Sequence, residues 1–358
     1  MVSIKDVAKQ AGVSISTVSN VLNGTKYVSE NLVIKVNQAV KDLNYEVDPI
    51  ARNLKTRQTK TIGVITIDMC GLFYPYVVKG MYEELNQKGY NLMICDLSGS
   101  KDSKSSMERE MDSFKNLVSN RVDGIIFAST VSGQREEGFA RDILKMANRN
   151  KKIPLVSLEK DFSRYGIDSV FSDGIEGGKQ AIRHLIDCGC KNVGHITGPI
   201  FSGEALERLE GYRLVLMECG MAVDMEQMVA NGNYTHQSGY IAMNELLKKY
   251  PSIDGVFVAN DQMAVGALKA LAESGKRVPE DVKVIGYDNV FISGILQPPL
   301  SSIHVRKQSF GSEAARILLQ RIEKPAGQDA LALKMDTKLV VRKSTVADAV
   351  EDWILSDW

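Results

Sequence analysis

The sequence contains no apolar run near the roughly 20 residues that a membrane-spanning helix requires. Its first residues, MVSIKDVAKQAG, lack the basic stretch and apolar core of a secretory signal. The five cysteines are an odd number, and they have neither the spacing of a disulfide framework nor that of a CxxC pair. We therefore expect reduced cysteines, a cytoplasmic location and no membrane partner.

Signatures of common enzyme classes are also missing. The sequence has no GxSxG, no GxxxxGK[ST], no GxGxxG after a strand-like run and no HExxH. The four histidines are scattered, and His195 lies inside an apolar run, where a core role is the usual one. The glycine-rich segment 173–178 lacks dinucleotide-binding spacing and is expected to begin a helix. We expect no enzymatic activity, no cofactor and no metal site.

Length and charge indicate a multidomain protein with a basic head. A chain of 358 residues is too long for one ordinary core, and 44% hydrophobic with 25% charged residues is typical of globular proteins. The net charge is zero, but residues 1–60 hold nine Lys/Arg against five Asp/Glu, whereas the remainder holds 35 against 39. This asymmetry suggests that the head contacts a polyanion.

The head is predicted to contain three short helices. The first has apolar residues at i, i+3, i+4 and i+7 from Ile4 and ends at Gly12. Ser14 is placed to cap the second helix, and a third helix begins near Ser29. The second helix should be anchored through Val18, Val21 and Leu22. Two helices joined by a short glycine-containing turn and braced by a third form a helix-turn-helix unit.

The other edge of the second helix carries Ile15, Ser16, Ser19 and Asn20. Small hydroxyls permit close approach to phosphates and base edges, and an asparagine amide can form a bidentate pair with adenine. Nearby lysines add salt-sensitive, sequence-independent affinity. An ordinary solvated face would mix Glu and Lys instead. The edge therefore predicts a helix that enters the DNA major groove; a helical bundle without a nucleic-acid partner is the alternative.

A short helix is predicted between head and body. Asp48 is placed as its N-cap and Pro49 at its first position, and the polar TRQTKT stretch ends it after about two turns. A helix this short is marginal alone in water, so it needs a second copy of itself or DNA as a partner. Leu54 could pack against that second copy, insert as an apolar wedge in a minor groove, or do both.

The body is predicted to be one fold repeated twice. Strand-like runs alternate with helical stretches from Thr61 onward, which is typical of parallel α/β sheets. These runs lie at 62–67, 91–97 and 123–129 and again at 192–198, 228–234 and 254–260. DGIIFAS and DGVFVAN are near duplicates, and 61 residues separate Gly63 from Gly124 as well as Gly194 from Gly255. We expect two similar doubly wound lobes with a cleft between them.

A ligand in such a fold binds beyond the carboxyl ends of the strands. The loops that follow these ends are expected at 68–76, 128–135, 158–162, 198–208, 260–262 and 286–291.

Four segments in order, IKDVAKQAGVSISTVSNVLNG, LNYEVDPIARNLKTRQTKTIGV, VANDQMAVGALKAL and VPEDVKVIGYDN, resemble the lactose-repressor (LacI/GalR) family of bacterial transcription regulators. The resemblance covers about residues 2–345, and ARNLK is similar to the hinge of the purine-repressor type. It implies a helix-turn-helix domain at 1–46, a hinge helix and linker at 47–59, an effector-binding domain at 60–345 and a tail at 346–358. The implied lobes are 60–160 with 290–322, and 161–289 with 323–345. The tail is expected to add a docked helical turn.

The resemblance implies a homodimer on a palindromic operator, with one helix-turn-helix on each half. It implies regulation, most often repression, of a carbohydrate operon by a small-molecule effector, expected to be a sugar, that binds in the cleft. Effector binding would reposition the lobes and order or melt the hinge helices, which is a coupling free energy between two sites. A sugar-binding protein of the periplasmic type, without a DNA role, is the alternative.

DNA contacts are implied at seven positions. Ile15, Ser16 and Asn20 fall on base-reading positions. Thr17 and Asn23 fall on backbone-contacting positions, and Leu54 and Lys55 fall on minor-groove positions. Many relatives carry arginine where this chain has Asn20, so a different operator base is expected there.

Effector contacts are implied at Tyr74, Glu159, Arg208, Tyr234, Asn260 and Asp288. In this resemblance Arg208 clamps ligand hydroxyls or carbonyls, Asp288 is the ligand-binding acid, and Tyr234 stacks on the ligand. A polyhydroxy ligand suits such a mixture of amide, carboxylate, guanidinium and aromatic groups. Asp261 is expected to cap a strand or helix end. Ser202 and Glu204 replace the base-reading pair of the purine-repressor type, so a purine effector is not expected.

Overall fold

The computed structural model describes residues 2–23, 26–45, 58–98, 103–149, 152–221, 223–324 and 329–350. They form two compact units that divide between Thr59 and Lys60. The predicted hinge helix, with Leu54 and Lys55, lies outside the described residues, as do tail residues 351–358.

The head contains helices α1 (Ile4–Ala11), α2 (Ile15–Asn23) and α3 (Glu30–Asp42). Gly12 ends α1 in the left-handed conformation, with φ of 64°. The Ser14 hydroxyl accepts the backbone N–H of Thr17 at 3.1 Å, so the predicted cap of α2 is confirmed. The small core is centred on Val7, Ala8, Val18, Val36 and Ala39.

The polar edge of α2 is narrower than the sequence predicted. Ser19 is buried, with 9% of its surface exposed, whereas Ile15 is 45% exposed and Ser16 is also exposed. Ser19 follows the fully buried Val18 and lies three residues before Leu22, so its small side chain lies on the packed side of the helix. The expectation that Ser19 belongs to the exposed edge is wrong.

The body is built from twelve strands and nine helices within the described residues. The strands are β1 (Thr61–Thr66), β2 (Asn91–Asp96), β3 (Gly124–Ala128), β4 (Leu155–Leu158), β5 (Asp168–Ser172), β6 (Val193–Thr197), β7 (Val229–Asn231), β8 (Gly255–Val258), β9 (Lys283–Asp288), β10 (Ser301–His304), β11 (Ala332–Met335) and β12 (Lys338–Val340). The helices are α4 (Tyr74–Gln87), α5 (Ser103–Ser119), α6 (Glu136–Ala147), α7 (Gly174–Asp187), α8 (Gly203–Glu218), α9 (Met225–Met228), α10 (His236–Lys249), α11 (Asp261–Glu273) and α12 (Lys307–Glu323).

The two sheets have equivalent strand orders, β11-β5-β4-β3-β1-β2 and β12-β10-β9-β8-β6-β7. All neighbouring strands are parallel except β12, which runs antiparallel to β10. Ile62 pairs with Gly124 in the first sheet, and Val193 pairs with Gly255 in the second. The 61-residue spacing therefore reflects a true duplication, because the two repeats share the same strand register.

The lobes divide differently from the boundaries implied above. Strands β5 and β11 belong to the first sheet although they were expected in the second lobe, and β10 belongs to the second sheet although it was expected in the first. The chain therefore crosses between lobes after β5, after β10 and between β11 and β12. The apolar pattern of a strand marks it as buried but does not specify which sheet it joins.

Close helix packing places α8 against α7. A Cβ atom at Gly178 would lie 2.6 Å from the carbonyl oxygen of Arg208, and one at Gly211 would lie 2.3 Å from that of Ile175. Neither position can accept a side chain without separating the helices. These two glycines thus fix the backbone that carries Arg208.

His195 is a core residue, as predicted. Its Nδ1 lies 2.9 Å from the carbonyl oxygen of Phe257, and its ring stacks with those of Tyr212 and Phe257. Burial lowers its pKa to about 3, which keeps the ring neutral.

No helix in the described part of the chain is long and apolar enough to cross a membrane. In the tail, the backbone N–H of Val346 donates to Arg342 and that of Ala349 donates to Val346, so a turn follows β12. Val350 is 88% exposed.

Candidate effector site and DNA-binding surface

A cavity of about 920 Å³ lies where the carboxyl ends of the two sheets face each other. Each of the six loops predicted from the strand ends contributes residues to its wall. The six residues predicted to contact an effector all line it: Tyr74, Glu159, Arg208, Tyr234, Asn260 and Asp288. The structure therefore brings these residues together around one cavity, and their individual ligand contacts stay predictions.

Arg208 is the cationic group of the cavity wall. Its Nη1 donates to the carbonyl oxygen of Ala259, and its Nη2 lies 3.6 Å from Oδ1 of Asp288. The guanidinium carbon lies 3.8 Å from the centre of the Tyr287 ring, in cation–π geometry. Burial alone would lower the pKa of Arg208, but the charge of Asp288 opposes this and holds the pKa above its ordinary value. The residue is therefore a permanent cation.

Asp288 is held at the end of β9 by buried cations of the same unit. The Lys307 ammonium donates to the backbone carbonyls of Asp288 (2.7 Å) and Asn289 (2.9 Å), and Arg342 donates to Oδ1 of Asn289 (2.9 Å). Burial raises the pKa of Asp288, while Arg208 and Lys307 oppose that rise. Lys307 begins α12 directly after a crossover between the lobes, so the backbone at Asp288 is tied to the interlobe connection.

Glu159 and Tyr74 form the first-lobe side of the cavity. The Tyr74 hydroxyl donates to Oε2 of Glu159. Burial, followed by the nearby Glu204 carboxylate, raises the pKa of Glu159 to about 8, although the Tyr74 hydrogen bond favours the ionised form. This carboxyl group can therefore gain or lose a proton near neutral pH.

Glu204, Ser202 and Tyr234 form the opposite, second-lobe side. The Ser202 hydroxyl lies 2.6 Å from Oε2 of Glu204 and 3.2 Å from the Tyr234 hydroxyl. Ser202 also caps α8 by accepting the backbone N–H of Ala205. The Tyr234 ring packs over Gly198, where a Cβ atom would lie 2.3 Å from a ring carbon. The glycine at position 198, directly after β6, thus leaves the space that the Tyr234 ring occupies.

Three of the six predicted effector residues have positive φ angles: Glu159 at 66°, Tyr234 at 67° and Asp288 at 91°. Such angles are unfavourable for residues with a side chain and cluster at functional sites in proteins. Their coincidence around one cavity supports a binding role independently of any sequence motif.

Neighbouring residues of one motif, Asn260 and Asp261, have different roles. The Asn260 side chain accepts the backbone N–H of Met263 and so caps α11 while it lines the cavity. Asp261 is fully buried and accepts the backbone N–H of Val290 and the hydroxyls of Ser293 and Ser302. Asp261 therefore has a structural role, but it holds the loop after β9, and the cap of α11 is Asn260.

Several lining residues were missed by sequence reasoning. Asn231 is the last residue of β7, Asn233 lies in the loop after it, and Gln262 lies two residues after Asn260. The run at 228–234 was predicted to be a strand throughout, but β7 ends at Asn231, and the loop beyond it faces the cavity. The sequence NGNY contains turn-forming residues that could have shown this.

The exposed surface of the head agrees with part of the predicted DNA-binding set. Ile15 and Ser16 are exposed, and Thr17 and Asn20 are half-buried. The Ser14 hydroxyl lies 2.7 Å from that of Ser16 and 2.8 Å from that of Thr17. The Asn23 side chain, Leu54 and Lys55 lie outside the described positions.

Tyr27 was missed by the sequence reasoning. It precedes α3 and is 94% exposed. Its hydroxyl is therefore exposed on the surface of the head.

A helix-turn-helix head and a two-lobed α/β body with a ligand-sized interlobe cavity define a DNA-binding protein that is able to respond to a small molecule. Residues 3–48 match the family model for bacterial regulatory proteins, lacI family, and residues 182–345 match that of a periplasmic binding protein-like domain. The chain belongs to the lacI family and is a DNA-binding transcriptional repressor with an effector-binding domain.

Its relatives span nearly the whole chain. It is 35% identical to the ribose operon repressor of Escherichia coli (strain K12), over 92% of this chain and 95% of that protein. It is 34% identical to the HTH-type transcriptional repressor PurR of Pasteurella multocida (strain Pm70), over 96% of this chain and 98% of that protein. Its structure also matches a Lac repressor dimer bound to operator and the anti-inducer ONPF, with a TM-score of 0.84, 28% identity, and coverage of 96% of this chain and 99% of that one.

Proposed function

We propose that this repressor is a homodimer which binds a palindromic operator of a carbohydrate-utilisation operon and changes its operator affinity when a sugar binds in the interlobe cavity. The observation that carries this proposal is the composition of the cavity wall. A fixed guanidinium, carboxylates, amides and tyrosine rings surround a volume of about 920 Å³. Such a wall offers paired hydrogen bonds to hydroxyls and apolar faces to C–H surfaces.

The name of the ribose operon repressor, which is 35% identical to this chain, supports a sugar as the effector. The replacement of the purine-type pair by Ser202 and Glu204 argues against a purine, even though PurR is a relative. A purine needs a neutral donor–acceptor pattern at its edge, whereas an ionised Glu204 would offer only acceptors.

The surface of α2 supports direct base reading. Ile15 offers an apolar contact for a thymine methyl group, Ser16 a small hydroxyl and Asn20 an amide for adenine. Two such helices related by a twofold axis would read half-sites separated by about 34–36 Å, which makes the operator palindromic. The Lac repressor structure matched by this chain is a dimer on its operator, which supports the same assembly here.

The lobes supply the proposed coupling between the two sites. Tyr74 and Glu159 belong to the first lobe, whereas Arg208, Tyr234 and Asp288 belong to the second, so a bound ligand would contact both. The binding energy of the ligand would then depend on the separation of the lobes. Ligand binding would change operator affinity if the hinge helices become ordered in only one arrangement of the lobes.

DNase footprinting of the full-length protein on the DNA upstream of its own and neighbouring operons tests the proposal. We expect protection of a palindrome at physiological salt, with half-sites one helical turn apart. Absence of any protected palindrome, together with saturable sugar binding, would favour a sugar-binding protein without a DNA role. A thermal-shift screen of sugars and sugar phosphates would identify the effector.

A further inference from the structure

The described wall of the cavity holds more carboxyl groups than cationic groups. Four carboxylates line it, from Asp68, Glu159, Glu204 and Asp288, and among the described lining residues Arg208 is the single cation. Asp288 already balances Arg208 at 3.6 Å. The end of the cavity formed by Glu159 and Glu204 therefore has two carboxyl groups and no cation among the described lining residues.

Lys160 lies beside this end of the cavity, next to Gly203, but it does not line the cavity. It follows Glu159 in the sequence and is buried, and its ammonium donates to the backbone carbonyl of Val131. Its charge also favours the ionised form of the buried Glu110.

At the end formed by Glu159 and Glu204, the neighbouring hydroxyl groups already donate their hydrogen bonds. The Tyr74 hydroxyl donates to Oε2 of Glu159, and the Ser202 hydroxyl donates to Oε2 of Glu204. Oε1 of Glu204 is buried and accepts no hydrogen bond from the described residues. A buried acceptor without a donor costs free energy, so a ligand that supplies the donor gains affinity.

The Arg208 guanidinium, at the other end of the cavity, also has an N–H group without a hydrogen-bond acceptor among the described residues. Nε of Arg208, in a side chain that is 8% exposed, donates to no described residue. Because Arg208 lines the cavity, its guanidinium can meet a ligand acceptor such as a ring oxygen or hydroxyl. The cavity thus needs an acceptor at Arg208 and several donors at Glu159 and Glu204.

We propose that the effector carries a cationic amine that binds between Glu159 and Glu204, as in an amino sugar or another amine-bearing polyhydroxy compound. This inference rests on the proposed function, because it takes the cavity as the effector site. An ammonium has three donors and no acceptor, and charge-assisted hydrogen bonds are about twice as strong as neutral ones. The phosphate group of a sugar phosphate is disfavoured at this end, because its negative charge meets the like charge of the carboxylates.

The electrostatics of Glu159 agree with this assignment. Burial and the neighbouring Glu204 raise the pKa of Glu159 to about 8, so this end of the cavity resists a second negative charge. A bound cation would stabilise both carboxylates in their ionised forms.

The test is isothermal titration calorimetry of the full-length protein at pH 6.5 with matched probes. Glucose, galactose and mannose are each compared with the 2-amino-2-deoxy sugar and the 6-phosphate of the same configuration. We expect at least one amino sugar to bind tenfold or more tightly than its neutral partner, and its phosphate not to bind. If the neutral sugar or the phosphate binds best in every series, the inference is overturned while the sugar-effector function stands. If no probe binds saturably, the inference is overturned, whereas the sugar-effector function is decided by the thermal-shift screen.

Substitutions on α8 test whether the Glu204 carboxylate binds the cationic amine. Glu204→Gln should weaken binding of the amino sugar at least tenfold and leave its neutral partner within about twofold. Glu218→Gln, at the surface-exposed end of the same helix and outside the cavity wall, is the matched control and should change neither. Equal losses for both sugars in Glu204→Gln would mean that Glu204 shapes the cavity without binding a cation, which contradicts the proposal. Operator binding by both variants verifies that they are folded.

Discussion

Arg208 and Asp288 face each other across 3.6 Å in the cavity wall, with 8% and 9% of their side chains exposed. This separation is an ion pair but is longer than a hydrogen bond. Each group therefore neutralises the charge of the other and keeps donors or acceptors available to a ligand. The backbone carbonyl of Ala259 fixes the guanidinium, and Lys307 fixes the turn that carries Asp288. The pair is therefore pre-organised, and both groups can still form hydrogen bonds with a ligand.

Replacing Arg208 should remove the effector response and leave operator binding intact. Arg208→Ala deletes the donors offered to the ligand, and we expect at least a tenfold loss of effector affinity, which corresponds to about 1.4 kcal/mol. Because loss of one partner of a buried pair can destabilise a protein, Arg208→Lys is the second variant; it keeps the charge but lacks the planar fork. Calorimetry and operator-binding anisotropy measure the two affinities.

Arg213→Ala is the control for the Arg208 variants. Arg213 lies on the same helix but pairs with Glu210 at the surface, so its loss should alter neither affinity. If Arg208→Lys loses operator and effector binding together while Arg213→Ala does not, Arg208 is a structural residue.

Asn20→Arg should change the operator base that α2 prefers. The asparagine amide pairs with adenine, whereas an arginine fork pairs with guanine, and each such contact discriminates by about 1–3 kcal/mol. We expect selection from randomised operators to return G·C in place of A·T at one position of each half-site. An unchanged consensus would show that Asn20 does not read a base.

Leu54→Ala should weaken specific binding far more than non-specific binding. An inserted apolar wedge requires the kinked operator, while non-specific affinity comes from phosphate contacts and does not need the kink. Competition of operator against random-sequence DNA at fixed salt measures the ratio. A proportional loss on both DNAs would rule out the wedge and leave only packing between hinge helices.

Glu110→Gln should stabilise the protein increasingly as pH rises. Glu110 is fully buried on α5, and burial raises its pKa to about 8 from an ordinary value of 4.5. A carboxyl group whose pKa is raised in the folded state does not lower the free energy of unfolding while it is protonated in both the folded and the unfolded protein. It costs up to about 1.4 kcal/mol per pH unit as pH rises from 4.5 toward 8, because only the unfolded state releases its proton readily.

The Gln variant is uncharged and avoids this cost. Urea unfolding at pH 5 and pH 8 should therefore show a larger gain in unfolding free energy at pH 8. Glu108→Gln, exposed on the same helix, should show equal effects at the two pH values. A pH-independent gain in Glu110→Gln would contradict the account of its burial.

The sequence predicts the strands and the site better than it predicts the lobes. Loop positions around the cavity followed from the repeated strand runs, because parallel strands place all their carboxyl ends at one edge. The partition of β5, β10 and β11 between sheets could not be predicted, because it depends on long-range pairing that local patterns do not encode. The role of Lys307 could not be predicted either, because its ammonium donates to the backbone carbonyls of Asp288 and Asn289, which are distant in sequence.

Side-chain roles were predictable where a motif supplied them. Arg208 and Asp288 came from a resemblance, and the structure places them in contact. Ser19 was predicted wrongly, because a serine in a short helix carries no pattern that distinguishes an exposed edge from a packed one. The unusual backbone angles of Glu159 and Tyr234 have no sequence signature, since neither residue type favours positive φ.

The most direct test of the whole account is a fluorescence-anisotropy titration of labelled operator with the full-length protein, with and without a saturating effector identified by calorimetry. We predict that the effector changes operator affinity of the wild-type protein at least tenfold, and that Arg208→Lys binds operator with wild-type affinity but shows no such change. Operator affinity that is the same with and without a ligand occupying the wild-type cavity would contradict the central claim that the cavity controls the DNA-binding head.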